Sequence, residues 1–327
     1  MTGPFRYTSP APSKSATGVV ADVYAQLAVD FGIERASAFV VLSASPPLLT
    51  GTWALVRESL LAGRVSRTDK EVVAAGVSLA NRCPFCVDAH TVLLHATGDH
   101  RLAETIARGE QPRDPAHRQL LAWGKDMSTA QPFPADAAAE HIGTALAFHF
   151  INRVVSSLLT ESTLPCGLQR LRAVRSVAGR TLARTVRQEL EPGLSLPLLE
   201  TEGEAPAWAA GTPVGTAFGA LRTAAELGAG LLDDRDAALV RESVAAWDGV
   251  TPLPPHGAAL PDRAERPGAR LALLAARAPY RITDEDVAAW LAPPFTDHCL
   301  VHLIAFGAIC AVERVEATLT TRPKEHA

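Results

Sequence analysis

Two cysteines, one histidine and one glutamate carry the chemistry this sequence can offer. The stretch Cys83-Pro84-Phe85-Cys86-Val87-Asp88-Ala89-His90 joins a Cys-x-x-Cys pair to an imidazole, and Glu71 lies twelve residues before Cys83. The chain holds five cysteines in all, so such a pair is unlike compositional noise. Pro84 suits the first position of a helix, where a missing N–H costs nothing, and Gly98 suits a C-terminal stop. Together they predict a helix over Pro84–Thr97. On it Cys83, Cys86 and His90 stand at i, i+3 and i+7, which one helix face brings together. A thiol in the first turn feels the helix dipole, which favours the thiolate. A neighbouring imidazole can take its proton and return one to a leaving group. A second thiol in reach can condense with a sulfenic acid on the first to give a disulfide. That is the layout of a thiol peroxidase with its own resolving cysteine.

The elements that must hold these groups read as helices. Hydrophobic residues make up 47% of the chain and aromatics only 6%, with Ala and Leu dominant, a mix that favours packed helices over a β-sandwich. After a Pro-, Ser- and Thr-rich arm (1–17), expected to be flexible, Val20, Val23, Tyr24, Leu27 and Phe31 recur at helical spacing. Ser45-Pro46-Pro47 breaks the chain before a helix ending near Gly63, and Ser66 to Glu71 opens the helix that stops at Asn81-Arg82. Beyond Gly98 come short helices near 101–108 and 117–126, then a long one from Asp136 to about Leu159. Residues 161–205 read as a connector whose arginines, between Leu168 and Leu190, form a solvated helix face. Almost no segment alternates as a half-buried strand does. The fold class is therefore all-α.

The second half echoes the first. Asp69-Lys70-Glu71 has a counterpart in Asp234-Arg235-Asp236, Asp136 and Arg153 match Asp297 and Arg314, and Leu120 to Trp123 match Leu271 to Leu274. In this register the cysteine motif falls on Trp247 to Thr251, which has neither thiol nor imidazole. The expected organisation is a tandem pair, 18–160 with the site and 206–327 without it.

With Glu71-x11-Cys83-x2-Cys86-x3-His90 followed by Gly98, residues 36–160 resemble the alkylhydroperoxidase D-like, or carboxymuconolactone decarboxylase-like, superfamily, and the second half resembles it more faintly. For its peroxidase members the resemblance implies an all-helical fold, Cys86 as the thiol that attacks peroxide and Cys83 as the resolving thiol. It also implies Glu71 and His90 in a proton relay, a hydroperoxide substrate, reduction by a lipoyl or thioredoxin-like dithiol, and a symmetric homo-oligomer, here a dimer or trimer. No cofactor is implied.

Other readings of the same residues stay open. Thr68-x-x-Glu71 has capping-box spacing. Cys83, Cys86, His90 and Glu71 could ligate zinc, although structural zinc sites draw on two separated knuckles. The disulfide could instead gate a redox-sensing or binding module. His95 shares a stripe with Asp88 and Thr91 and is expected at the surface, His100 has no assigned role, and His149 reads as a hydrogen-bonded core residue. Cys166, Cys299 and Cys310 read as structural. A net charge of −4 gives no footprint for nucleic acid. No run of about 18 apolar residues suggests a membrane span, and no signal peptide is recognisable, so a cytoplasmic protein is expected.

Overall fold

A computed structural model describes residues 4–10, 13–161, 165–254 and 260–320; side chains are described except at 13, 165–167 and 320. Fourteen α-helices make up the described chain: α1 (Gly18–Gln26), α2 (Ser37–Val40), α3 (Pro46–Val56), α4 (Arg67–Ala80), α5 (Pro84–Thr97), α6 (His100–Ala107), α7 (Pro115–Lys125), α8 (Ala138–Leu158), α9 (Arg172–Val186), α10 (Pro213–Glu226), α11 (Asp234–Ala245), α12 (Pro267–Arg277), α13 (Asp284–Trp290) and α14 (Asp297–Thr320). Among the described residues the only β-pairing is an isolated bridge between Phe5 and Leu159.

Two long helices, α8 and α14, lie against each other at the centre. The order α3, α4, α7, α8 recurs as α10, α11, α12, α14, and α3 packs on α10 just as α8 packs on α14. This is the tandem all-helical arrangement. The close approaches rest on glycine. A Cβ on Gly51 would stand 2.9 Å from the Cα of Leu221 in α10, and one on Gly124 would stand 2.5 Å from the Val73 carbonyl oxygen. The latter contact lets α7 press α4 toward the centre. By length and apolarity α14 would pass for a membrane span, but 72% of its apolar window is buried inside the protein.

The start of α4 is fixed by a buried clip. Lys70 Nζ donates to the Ala62 carbonyl and to Glu140 Oε2, both at 2.7 Å, and Glu140 also accepts from the amides of Arg64 and Val65. Removing both charges from water is costly. Burial pushes the Lys70 ammonium below its usual range, and Glu140 only partly offsets this. The clip sets the register of α4 and so the direction in which Glu71 points.

The N-terminal segment is pinned rather than loose where it is described. Arg6 N bonds to Leu158 O at 2.9 Å, Arg6 Nη2 to Ile282 O at 3.0 Å, and Ser9 N to Asp297 Oδ2 at 3.1 Å. The expected connector holds α9, which lies along α5, and its arginines are not all solvated. Arg175 is buried and grips Glu104 of α6 at 2.8 Å, because α9 covers a face that a local pattern would leave wet. Gly179 makes the contact possible, since a Cβ there would sit 2.5 Å from the Cβ of His95.

His141 of α8 is buried, stacks on Phe133 with ring centroids 4.5 Å apart, and its Nδ1 has no partner among the described residues. Burial pushes its imidazole down to about 4, with Lys70 lowering it further and Asp69 and Glu140 opposing. An unfolded histidine titrates near 6.5, so below that pH the unfolded chain binds the extra proton. Stability from this group is therefore full above pH 6.5 and lost as pH falls towards about 4, on the order of 3 kcal/mol. In denaturant titrations at pH 7 and 4.5, His141→Phe is expected to remove that component of the acid loss. An equal loss in both proteins would refute the assignment.

Candidate active site

α4 and α5 are joined by a turn of three residues. Arg82 takes a left-handed φ of 54°, and Cys83 N bonds back to Ser78 O at 3.0 Å, which folds α5 tightly beside α4. Pro84 occupies the first position of α5 and Gly98, at φ 109°, ends it, as the sequence led us to expect. Cys83 is the N-cap and Cys86 lies in the first turn, their Cα atoms 5.4 Å apart and their sulfurs joined as a disulfide. Both are buried.

One turn on, His90 Nδ1 meets Glu71 Oε2 at 2.7 Å. Glu71 is fully buried, and its other oxygen accepts from Arg67 Nε at 2.8 Å. Desolvation alone would raise the Glu71 carboxyl. Arg67 and His90 outweigh it and hold the group below the usual carboxylate range. An ionised carboxylate on Nδ1 fixes the proton there and leaves Nε2 as the basic nitrogen. Nε2 is buried and has no hydrogen-bond partner among the described residues. Phe148 of α8 holds the ring edge-on, with centroids 4.3 Å apart and an interplanar angle of 84°.

Cys86 and His90 line a cavity of about 360 Å³. Its walls are mostly apolar, and Phe31, Phe39, Val56, Leu93, Phe148 and Leu182 are among them. Pockets of this kind suit small ligands with an apolar body. Asp88 lies at the rim, where burial raises its carboxyl and Arg170, at 3.9 Å, opposes the shift. Cys83 instead borders a separate space lined by Arg6, Arg82, Glu161 and Tyr280. The two sulfurs thus face different surroundings.

The structure therefore brings Glu71 and His90 into one hydrogen-bonded pair and places Cys86 and His90 on one cavity. One open reading and one expectation fail here. The helix begins at Arg67 with Ser66 as N-cap and no side-chain cap bond, so Thr68 and Glu71 form no capping box. His95 is buried rather than exposed, bonding through Nε2 to Glu104 at 2.9 Å and through Nδ1 to His100 at 2.9 Å. His149 is a bonded core histidine, as expected. Arg67 and Phe148 were not singled out as site residues. The i, i+4 spacing of Arg67 and Glu71 was the available signal for the first. Cys299 and Cys310 are free thiols, the latter pushed well up by burial. The side chain of Cys166 lies outside the described residues. For zinc, both sulfurs are engaged with each other, and no three His, Cys, Asp or Glu side chains converge as a metal site among the described residues.

Comparison with known proteins agrees with this geometry. The model of the carboxymuconolactone decarboxylase family matches residues 47–126, from α3 to the end of α7. A protein named Alkyl hydroperoxide reductase Rv2159c, from Mycobacterium tuberculosis, is 40% identical over 325 residues, spanning 94% of this chain and 93% of its own length. No solved structure matches. With the likeness running through both halves, the chain belongs to the carboxymuconolactone decarboxylase family, among its alkylhydroperoxidase D-like members.

Proposed function

We propose that this protein is a thiol-dependent peroxidase for organic hydroperoxides. In the reduced protein His90 Nε2 takes the Cys86 proton, and the helix N-terminus favours the thiolate. The thiolate attacks the terminal peroxide oxygen, the O–O bond breaks, and the departing alkoxide takes the proton from His90. Cys86 is then a sulfenic acid. Cys83 attacks its sulfur, water leaves, and the disulfide forms. An external dithiol, such as a lipoyl group or a thioredoxin-like protein, supplies the two electrons that reopen it. Glu71 acts on His90 as a positioning residue, anchored by Arg67.

The observation that carries this reading is His90, whose Nε2 is buried without a partner among the described residues and which lines the same cavity as Cys86. The apolar walls support an organic peroxide over hydrogen peroxide. The name of the Mycobacterium tuberculosis relative supports the same activity. We also infer two repeats bounded at 18–160 and 206–327, a dimer or trimer, which exposed Leu168, Leu171 and Val177 would help to form, and a place in the cytoplasm.

The test is stoichiometry. One equivalent of cumene hydroperoxide added to reduced protein should consume two thiols together and release one equivalent of alcohol. With dithiol in excess, turnover should then continue. Oxidation that stops after one equivalent under every dithiol would favour a redox-sensing module gated by the disulfide. Loss of a single thiol would contradict the resolving role of Cys83.

A further inference from the structure

A further, smaller cavity lies where the two halves meet, beside the α4–α5 turn. It has a volume of about 40 Å³, and four cationic side chains line it: Arg82 of the turn, Lys125 at the end of α7, Arg153 of α8 and Arg277 at the end of α12. None of the four forms an ion pair with a carboxylate among the described residues. The acid acting on Arg277 is Asp248, whose oxygens are already bound by Thr251 and the Val250 amide.

Arg153 is held in place rather than neutralised, and Asp248 alone offsets the charge of Arg277. Arg153 is buried, donating from Nε to Ala276 O and from Nη1 to His149 O, both at 2.7 Å. Its Nη1 also lies 3.2 Å from His149 Nδ1, which Asn81 Nδ2 approaches at 3.3 Å, so that nitrogen serves as an acceptor and His149 adds no negative charge. Arg153 and Arg277 both pack on the ring of Trp247, at 5.9 and 5.6 Å. Arg277 Nε is buried without an acceptor. Burial pushes Arg153 down to about 9, the response of a cation that lacks a counter-ion. Uncompensated buried charge is destabilising unless something supplies the opposite sign.

We propose that this cavity is an oxyanion site that binds inorganic phosphate between the two halves. A tetrahedral oxyanion presents acceptors in several directions, so it can bridge guanidinium groups that arrive from both repeats. Binding would tie Arg82, the residue before Cys83, to Arg277 of the second half.

The experiment is a thermal melt of the full chain titrated with phosphate, with chloride keeping ionic strength constant. The expected result is a Tm that rises by several degrees and saturates. Arg277→Gln, at a half-buried position, and Lys125→Gln, at an exposed one, should each weaken the apparent phosphate affinity about tenfold, roughly one charge-assisted hydrogen bond. If Arg277→Gln does not fold, Lys125→Gln carries the comparison. An equal response to glycerol phosphate would support the same site with an ester in it. A rise that chloride alone reproduces, or a phosphate response unchanged in the variants, would overturn the proposal. Peroxide turnover plays no part in this readout, so the two proposals can fail separately.

Discussion

Cys86→Ser is expected to abolish catalytic consumption of organic hydroperoxide, lowering kcat/KM by more than about 10⁴, the scale on which removal of an attacking nucleophile falls. A serine hydroxyl is neither ionised by a neighbouring imidazole to a useful extent nor able to accept an oxygen atom as sulfur does. The expected behaviour of Cys83→Ser is different in kind. Its Cys86 should still react once, consume one equivalent of peroxide and remain a sulfenic acid that a dimedone-type reagent can trap. The asymmetry follows from position. Cys86 lies in the first turn of α5 and shares the apolar cavity with His90, whereas Cys83 is the N-cap and borders the space around Arg82 and Tyr280. Mass spectrometry after one equivalent of peroxide decides between them. A trapped sulfenic acid on Cys83 in the Cys86→Ser variant, with turnover retained, would reverse the two roles.

How far the sequence could lead to this site depended on the range of the interaction involved. The helix over Pro84–Thr97 was legible because proline and glycine punctuate both ends and act locally. The expected shared face of Cys83, Cys86 and His90 rested on helical periodicity alone, and the structure puts Cys86 and His90 on one cavity while Cys83 borders another. Glu71 was ambiguous because Thr68 stood three residues before it. The clip of Lys70 on Ala62 and Glu140 starts the helix at Arg67, which puts Glu71 inside its second turn and out of capping range. That contact spans seventy residues, and no local pattern announces it. His95 was misplaced for the same reason. Its stripe on α5 is polar enough to face water, but α9 folds over it and brings Arg175 to Glu104. The cavity walls were the least legible part. Leu182 of α9 stands far along the chain from Phe31 and Phe39 and joins them on the cavity only because α9 packs along α5. The repeat, by contrast, was visible because Asp136 and Arg153 keep the same separation as Asp297 and Arg314 even where the cysteine motif is missing.

The second large effect is expected from Glu71→Gln, a change of one atom that keeps the size of the side chain. The carboxylate can only accept, so it fixes the His90 proton on Nδ1 and leaves Nε2 basic. A glutamine can turn its NH₂ towards Nδ1 instead, which moves the proton to Nε2 and removes the base from the cavity. It also leaves Arg67 beside a neutral group. The expected loss is on the order of 10²–10⁴ in kcat, with KM for the peroxide little changed, as for a general base held in the wrong tautomer. A merely structural role would instead appear in stability, and here the sign can be worked out. The folded carboxyl lies below its ordinary value of 4.5, so the unfolded chain takes up the proton first as pH falls. The stability contributed by this ionised group is full above pH 4.5 and is lost as pH falls through the lower folded value. The gap in stability between the natural protein and Glu71→Gln should therefore be constant near neutrality and shrink in acid, while the defect in kcat persists at pH 7. Aspartate at the same position keeps the charge but shortens the reach, and should recover part of the rate. If Glu71→Gln turned over hydroperoxide at the natural rate while its stability gap behaved as described, the carboxylate would be an anchor for Arg67 alone, and His90 would keep its tautomer by other means.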